Sequence, residues 1–170
     1  TNTSITSANP QKHLITLDII SDFPSNQKDD SFWMKEAFKL SERAFSKDEV
    51  PIGAVIVSNN RIIARAHNLT ERLNDVTAHA EMQAFTAAAE FLGGKYLHDC
   101  TLYVTIEPCV MCTGASYWTQ LNKIVYGAKE PKRGTSDLNI KLFHPKTKIT
   151  FGILEKECSD LMKKFFNSKR

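Results

Sequence analysis

The chain has 170 residues, 42% of them hydrophobic and 24% charged, with a formal net charge of +3; that is the length of one domain, with enough apolar residues to bury a core. No apolar run approaches the roughly 18–20 residues of a transmembrane helix. The polar residues 1–30 also lack the basic start and long apolar run of a secretory signal, so the expected compartment is the cytoplasm.

Residues 1–30 are rich in Thr, Ser, Asn and Asp and read as an extension ahead of a single domain over 31–170. Their one apolar stretch, His13 to Ile20, suits a strand, a docking segment or part of a disordered arm. Ser31 is placed to cap a helix running to about Ser46, with Phe32, Met34, Ala37, Phe38, Ala44 and Phe45 as its apolar stripe. Pro51 opens a β-rich run from Ile52 to Val57, Asn59-Asn60 reads as a hairpin turn, and Arg61 to Ala66 returns as the second strand. Residues 67–77 form a polar loop. Ala78 to Phe91 is Ala-rich and helical, stopped by Gly93-Gly94. Thr101 to Ile106 has the β-branched and aromatic content of a strand. Cys109 to Thr119 is helical, Lys123 to Tyr126 a short strand, residues 127–147 a long basic loop, and Ile149 to Leu154 a last strand. Glu155 to Phe166 is a final helix, acidic at its start and basic at its end, as the helix dipole favours. A hairpin followed by β-α-β units implies an α/β fold, a mixed sheet with helices on both faces.

Charge is unevenly placed. Residues 1–122 carry 10 Lys/Arg against 14 Asp/Glu, and residues 123–170 carry 12 against 5. A basic C-terminal segment fits a polyanionic partner and a solvated tail equally well.

Two short clusters carry the chemistry. One is His79-Ala80-Glu81 and the other Pro108-Cys109-Val110-Met111-Cys112, each at the start of an expected helix. Residues i and i+3 share a helix face, so Cys109 and Cys112 are placed to point at one metal ion. Pro108 suits a helix entrance, and a helix start favours thiolate over thiol. Catalytic zinc keeps three protein ligands and one open position for water. His79 and the two cysteines make three, which gives one Zn2+ per chain. Cys100 and Cys158 lie outside the motif and read as buried core residues. Glu81, two residues beyond His79, borders the same helix end. There it is placed to take a proton from a zinc-activated water and pass it on. His13, His67, His98 and His144 read as surface or packing residues.

H-x-E with a distant P-C-x-x-C is the signature of zinc nucleobase deaminases. From about Phe32 to Phe166 the chain resembles the bacterial tRNA-specific adenosine deaminases. The resemblance rests on Glu49 to Val55, Asn59 to Arg61, Thr77 to Glu81, Thr101 to Cys112, Gly152 to Leu154 and Glu157-Cys158. It implies a three-layer α/β/α, cytidine-deaminase-like fold with a mixed five-stranded sheet, and a homodimer. It implies hydrolytic deamination of adenosine to inosine at the wobble position, the tRNA anticodon loop delivering its flipped adenosine to the zinc site. Glu81 would then shuttle protons as ammonia leaves C6. The same match implies that Asn68 hydrogen-bonds the substrate nucleoside, Ala80 offers its N–H to the base, Ile52 lines the pocket and Glu130 contacts RNA.

Other readings stay open at this point. Tyr117-Trp118 suits packing or a dimer contact, yet an aromatic pair there also resembles bacterial guanine deaminase, whose substrate is a free purine base. A structural zinc or RNA-binding module would need a fourth protein ligand and would leave Glu81 without a role. A thioredoxin-like redox pair leaves His79-Ala80-Glu81 unexplained. No part of the sequence points to a membrane partner.

Overall fold

A computed structural model describes residues 27–138 and 141–170; the expectation for His13 to Ile20 lies outside them. Five strands form one sheet: β1 (Gly53–Ser58), β2 (Arg61–His67), β3 (Cys100–Ile106), β4 (Lys123–Ala128) and β5 (Lys148–Phe151). Their order is β2-β1-β3-β4-β5. β1 runs antiparallel to both β2 and β3, whereas β3, β4 and β5 run parallel. The sheet is therefore mixed, as the alternation of a hairpin with β-α-β units requires.

Helices cover both faces. On one, α3 (Ala80–Leu92) and α4 (Val110–Thr119) accompany a core in which Ala80, Ala84, Phe85 and Ala88 pack with Ile56, Leu102, Val104 and Ile124. On the other, α1 (Asp30–Ser46) packs Trp33, Met34 and Ala37 against Val55, Val57, Tyr103 and Val125. The last helix, α5 (Glu155–Asn167), sets Cys158 with Ile106 and Ala128 in a third cluster, which Phe38 of α1 also joins. The alternation of side chains along each strand feeds these two layers, Val55 and Val57 to one face, Ala54 and Ile56 to the other. This is the three-layer α/β/α arrangement with a five-stranded sheet.

Element limits shift from the sequence reading for identifiable reasons. The α1 cap is Asp29, not Ser31: its carboxylate accepts the Phe32 N–H at 2.8 Å. Asp30 already belongs to the folded domain, since its carboxylate accepts from Tyr103 Oη at 2.7 Å and Lys123 Nζ at 2.6 Å. Asn59 and Asn60 both have positive φ, 49° and 57°, the pair a tight hairpin turn demands. The 67–77 loop contains one helical turn, α2 (Thr70–Leu73), which hydrophobic periodicity could not reveal because none of its residues is buried. The helices expected from Ala78 and Cys109 begin at Ala80 and Val110, leaving His79 and Cys109 at the caps. The last strand ends at Phe151 rather than Leu154, because the chain turns at Gly152 into α5.

The strand directions decide where a site forms. β2 and β3 are both antiparallel to β1, so their carboxyl ends lie at one edge of the sheet. In the register, Gly53 faces His67, Ala54 faces Val104, and Ile106 faces Ala128 across neighbouring strands. The segments leaving His67, Ile106 and Ala128, and the one entering at Gly53, therefore gather at that edge, where open α/β sheets bind their ligands.

Gly53 seats α1 directly on this edge: a Cβ there would overlap the Ala37 carbonyl oxygen and lie 2.5 Å from the Ser41 nitrogen. Both obstacles are backbone and cannot rotate away. Gly53→Ala should cost about 3 kcal/mol or more of stability, read as a lowered urea midpoint. Gly114→Ala is the matched control: within α4 its Cβ would meet nothing within 4 Å, so it should gain about 0.5–1 kcal/mol.

Candidate metal centre and its flanking loops

At the carboxyl edge of the sheet, α3 and α4 present their N-termini. His79 is the N-cap of α3 and Cys109 the N-cap of α4, and neither side chain caps its own helix. They turn instead toward each other. His79 Nδ1 lies 3.6 Å from Cys109 Sγ and 3.5 Å from Cys112 Sγ. Among the described residues these three form the group whose ligand atoms, all within 4.8 Å of one another, could hold a metal ion. Cys112 is buried, and His79 and Cys109 are half-buried, so the group opens to solvent on one side. Cys100 and Cys158 are buried elsewhere in the core, as expected.

The electrostatics fit a cation-binding group. Cys109 is pulled down to about 4, first by the hydrogen bond from the Cys112 thiol and then by His79, against the opposing effect of burial. Cys112 is pushed up, because it is the thiol donating to Cys109 and because it is buried. The hydrogen bond to Cys109 raises His79. A metal ion binds such sulfurs as thiolates.

Glu81 sits in the first turn of α3, 2% exposed, and its Oε2 is a buried acceptor with no hydrogen-bond partner. Burial raises its carboxyl to about 7. A buried carboxylate oxygen without a donor is costly, and it stands beside the ligand group, close enough to interact with Cys109, His79 and the Cys112 thiol. The donor set and the orphan oxygen together fit a bound cation with a small polar ligand.

The other expected site residues gather at the same edge. Ala80 opens α3 and is fully buried; its N–H is among those a helix start leaves without an intrahelical acceptor. Asn68 follows β2, is 3% exposed, and donates its backbone N–H to the Ile52 carbonyl at 3.0 Å. Ile52 is half-buried against two of the core clusters. Leu69 N–H donates to the Ala78 carbonyl, and Gln83 Nε2 donates to the carbonyls of His67 and Ala78, which ties the end of β2 to the segment bearing His79. Glu130 is used locally: its Oε1 accepts the Lys132 N–H at 2.9 Å, within its own turn.

Three residues that the sequence reading left without a role emerge here. Glu49, 1% exposed, accepts from Asn68, Thr70, Glu71 and Arg72. Glu107, 4% exposed, accepts the backbone N–H groups of Glu130, Thr135 and Ser136. The two carboxylates pin the two loops that flank the metal group. Gly134 is the close approach in the second loop: it pairs with Cys109 in an isolated β-bridge, and a Cβ there would come 2.5 Å from Glu107 Oε2. This docking brings Arg133 close enough to disfavour protonation of His79. Both glutamates fall in the motif runs Glu49-Val50-Pro51 and Glu107-Pro108-Cys109, and an acid one or two residues ahead of a Pro is the one signal the sequence offers.

Tyr117 and Trp118 on α4 are exposed, Trp118 at 77%, and touch each other and, through Tyr117, the His144 ring. A separate open cavity of about 760 Å3 lies against α5, lined by Lys129, Lys156 and Lys163 but also by Glu155, Glu157 and Asp160.

A His–Cys–Cys group at two helix starts, with a buried glutamate beside it on this sheet, is the architecture of the metal-dependent deaminases. The chain belongs to the MafB19-like deaminase family, whose sequence profile matches residues 28–170. Within that class its similarity runs to the tRNA-specific adenosine deaminases. The one from Bacillus subtilis (strain 168) is 44% identical over 146 residues, covering 83% of this chain and 91% of that protein. A structure from a study of A-to-I editing by tRNA:A34 deaminases superposes with a TM-score of 0.73 at 38% identity, covering 77% of this chain and 99% of that one. The guanine deaminase of Nitrosomonas europaea shares the fold at a TM-score of 0.72 and 22% identity, over 79% of this chain and 83% of that one.

Cys109→Ala should abolish metal retention with the fold intact, since Cys109 is a half-buried cap residue rather than core. Metal content after dialysis, by emission spectroscopy, with circular dichroism as the fold control, reads this directly. A fully loaded variant would remove Cys109 from the ligand set.

Proposed function

We propose that this protein deaminates adenosine to inosine at the wobble position of tRNA by hydrolysis, with one Zn2+ held by His79, Cys109 and Cys112. The observation that carries the reading is the buried, unpartnered Glu81 Oε2 beside that ligand group. The donor set supports zinc: one imidazole and two thiol sulfurs, whose ligand atoms lie within 4.8 Å of one another, would hold it. Three protein ligands among the described residues, with Cys100 and Cys158 buried elsewhere, speak against a closed structural site.

When bound, zinc acts as a Lewis acid that makes water a nucleophile at neutral pH. The chain's own groups do the rest. Glu81 Oε2 takes one proton from the attacking water and delivers it to N1 of the base, then takes the second from the oxygen now on C6 and delivers it to the leaving amine, so that C6 exchanges its C–N bond for C–O and ammonia departs. Burial raises the proton affinity of this carboxyl, which suits a group that must both accept and donate protons. The Ala80 N–H, at the positive end of α3, binds the base, Asn68 holds the nucleoside, and Ile52 lines the wall of the pocket. Pinning by Glu107 fixes the loop that carries Lys132 and Arg133 and brings Arg133 near His79, where positive charge suits the anticodon-loop phosphates. The relatives named above as tRNA-specific support this substrate over a free purine base. The exposed Tyr117 and Trp118 suit the contact of a homodimer. A tRNA substrate places the work in the cytoplasm, and among the described residues no helix is long and apolar enough to cross a membrane.

Incubation with unmodified tRNA carrying adenosine at the wobble position should yield inosine and one ammonia per site, with guanine left untouched in a parallel reaction. Turnover on guanine alone would reject the tRNA reading. Glu81→Gln should keep its zinc and lose about 10²–10⁴-fold in kcat; a variant that turns over normally would remove Glu81 from proton transfer. Raising salt from about 50 to 200 mM should weaken tRNA binding by a factor of about ten or more.

A further inference from the structure

Glu49 lies at the entrance to β1 and is 1% exposed. Four donors converge on its two oxygens. Asn68 Nδ2 approaches Oε2 at 3.1 Å, Thr70 Oγ1 approaches it at 3.4 Å and the Glu71 N–H at 3.2 Å; the Arg72 N–H reaches Oε1 at 2.8 Å. A carboxylate so surrounded acts wholly as an acceptor. The side of the Asn68 amide that faces it must therefore be the NH2, and the ambiguity of an amide's two ends is resolved by its partner. The second amide hydrogen goes to Thr70 Oγ1 at 2.9 Å. Both hydrogens are thus committed inward, and the carbonyl oxygen Oδ1 is the atom left with which Asn68 can meet a ligand.

We propose that Glu49 is a positioning residue that locks the Asn68 amide with its carbonyl oxygen toward the substrate, making Asn68 an acceptor that selects a hydrogen-bond donor. The proposal rests on the reading above that Asn68 faces the substrate. It deepens that reading by giving the residue a fixed polarity. A substrate offering only an acceptor at that point meets lone pair against lone pair. The amide cannot turn over to accommodate it, because the turned amide would set Oδ1 against Glu49. Glu49 itself touches no substrate; it acts through Asn68.

The inner hydrogen bond can be inverted as a test. In Glu49→Leu, both acceptor oxygens are gone, so the Asn68 amide loses its partner and is free to turn over and present a donor. Glu49→Gln alone keeps a carbonyl oxygen toward Asn68, Thr70 and Glu71 and gives up only the Arg72 N–H. In Asn68→Asp, two carboxylates stand about 3 Å apart and compete for one proton. In the double variant E49Q/N68D, the amide introduced at position 49 turns its NH2 to the carboxylate introduced at position 68, whose outer oxygen is again an acceptor. Glu49→Leu and Asn68→Asp should each lower kcat/KM about 10–100-fold, mainly through KM, and E49Q/N68D should recover at least about tenfold over Asn68→Asp. Zinc content should be unchanged in all three. Recovery should be partial, since the turned amide at position 49 leaves the Glu71 N–H without an acceptor. No recovery in the double variant, or a Glu49→Leu variant with native kcat/KM, overturns the proposal.

The cycle is run on wobble-adenosine tRNA and on guanine. Silence of the wild type on tRNA rejects the proposed substrate, and failure of E49Q/N68D to recover over Asn68→Asp on whichever substrate is turned over rejects the role of Glu49. A measurement on the unaltered protein stands apart from activity and from the folding of variants. Both Asn68 side-chain amide protons should resist solvent exchange by NMR well beyond those of an exposed asparagine. Exchange at the rate of an exposed side chain overturns the proposal.

Discussion

The convergence of His79 with Cys109 and Cys112 is the contact the rest of the molecule serves. The partners lie 30 and 33 residues apart in the chain, and nothing local brings them together. They meet because β1 is inserted between β2 and β3 and antiparallel to both, which turns the two outer strands the same way and opens both following helices at one edge. The helix starts then contribute more than position. Their unpaired N–H groups favour negative charge on Cys109 and Cys112, and the cap side chains, unneeded by the helices, are free to bind an ion.

Around that centre the protein concentrates its buried charge. Glu49, Glu81 and Glu107 are each less than 5% exposed, and none has a salt-bridge partner among the described residues. Such groups destabilise a fold unless hydrogen bonds replace water. Glu49 and Glu107 are fully served by backbone and side-chain donors and offset their burial by fixing loops. Glu81 keeps one oxygen unsatisfied. The contrast between two satisfied acids and one left wanting separates scaffold from chemistry more clearly than burial does, because all three are equally hidden.

The loops show how rigidity is supplied where regular structure ends. Loop 68–72 is held by Glu49 and by the Leu69–Ala78 hydrogen bond. Loop 129–136 is held by Glu107 and by the Cys109–Gly134 bridge, with Thr135 Oγ1 reaching the Pro108 carbonyl and Thr113. Each anchor arises from the segment that enters or leaves a neighbouring strand, so sheet register is transmitted to the loops without passing through the helices. Binding groups on such loops are preorganised, and less entropy is lost when a ligand is bound.

Much of this was legible in the chain itself. The Asn59-Asn60 turn and the α3 and α4 runs with their ligand residues at the starts follow from local rules of turn, cap and helix face, whereas the pairing of His79-x-Glu81 with Cys109-x-x-Cys112 was legible as a known signature. These rules act over three or four residues, and a sequence displays them directly. What sequence could not supply was decided by tertiary contact. α2 has no buried face and so no periodicity to read. Asp29 displaced Ser31 as the cap once Asp30 was drawn to Tyr103 and Lys123, 73 and 93 residues away. The work of Glu49 and Glu107 is invisible in one dimension, because their partners are mostly backbone N–H groups, which nearly every residue carries. Only the folded chain determines which of those donors stand within reach.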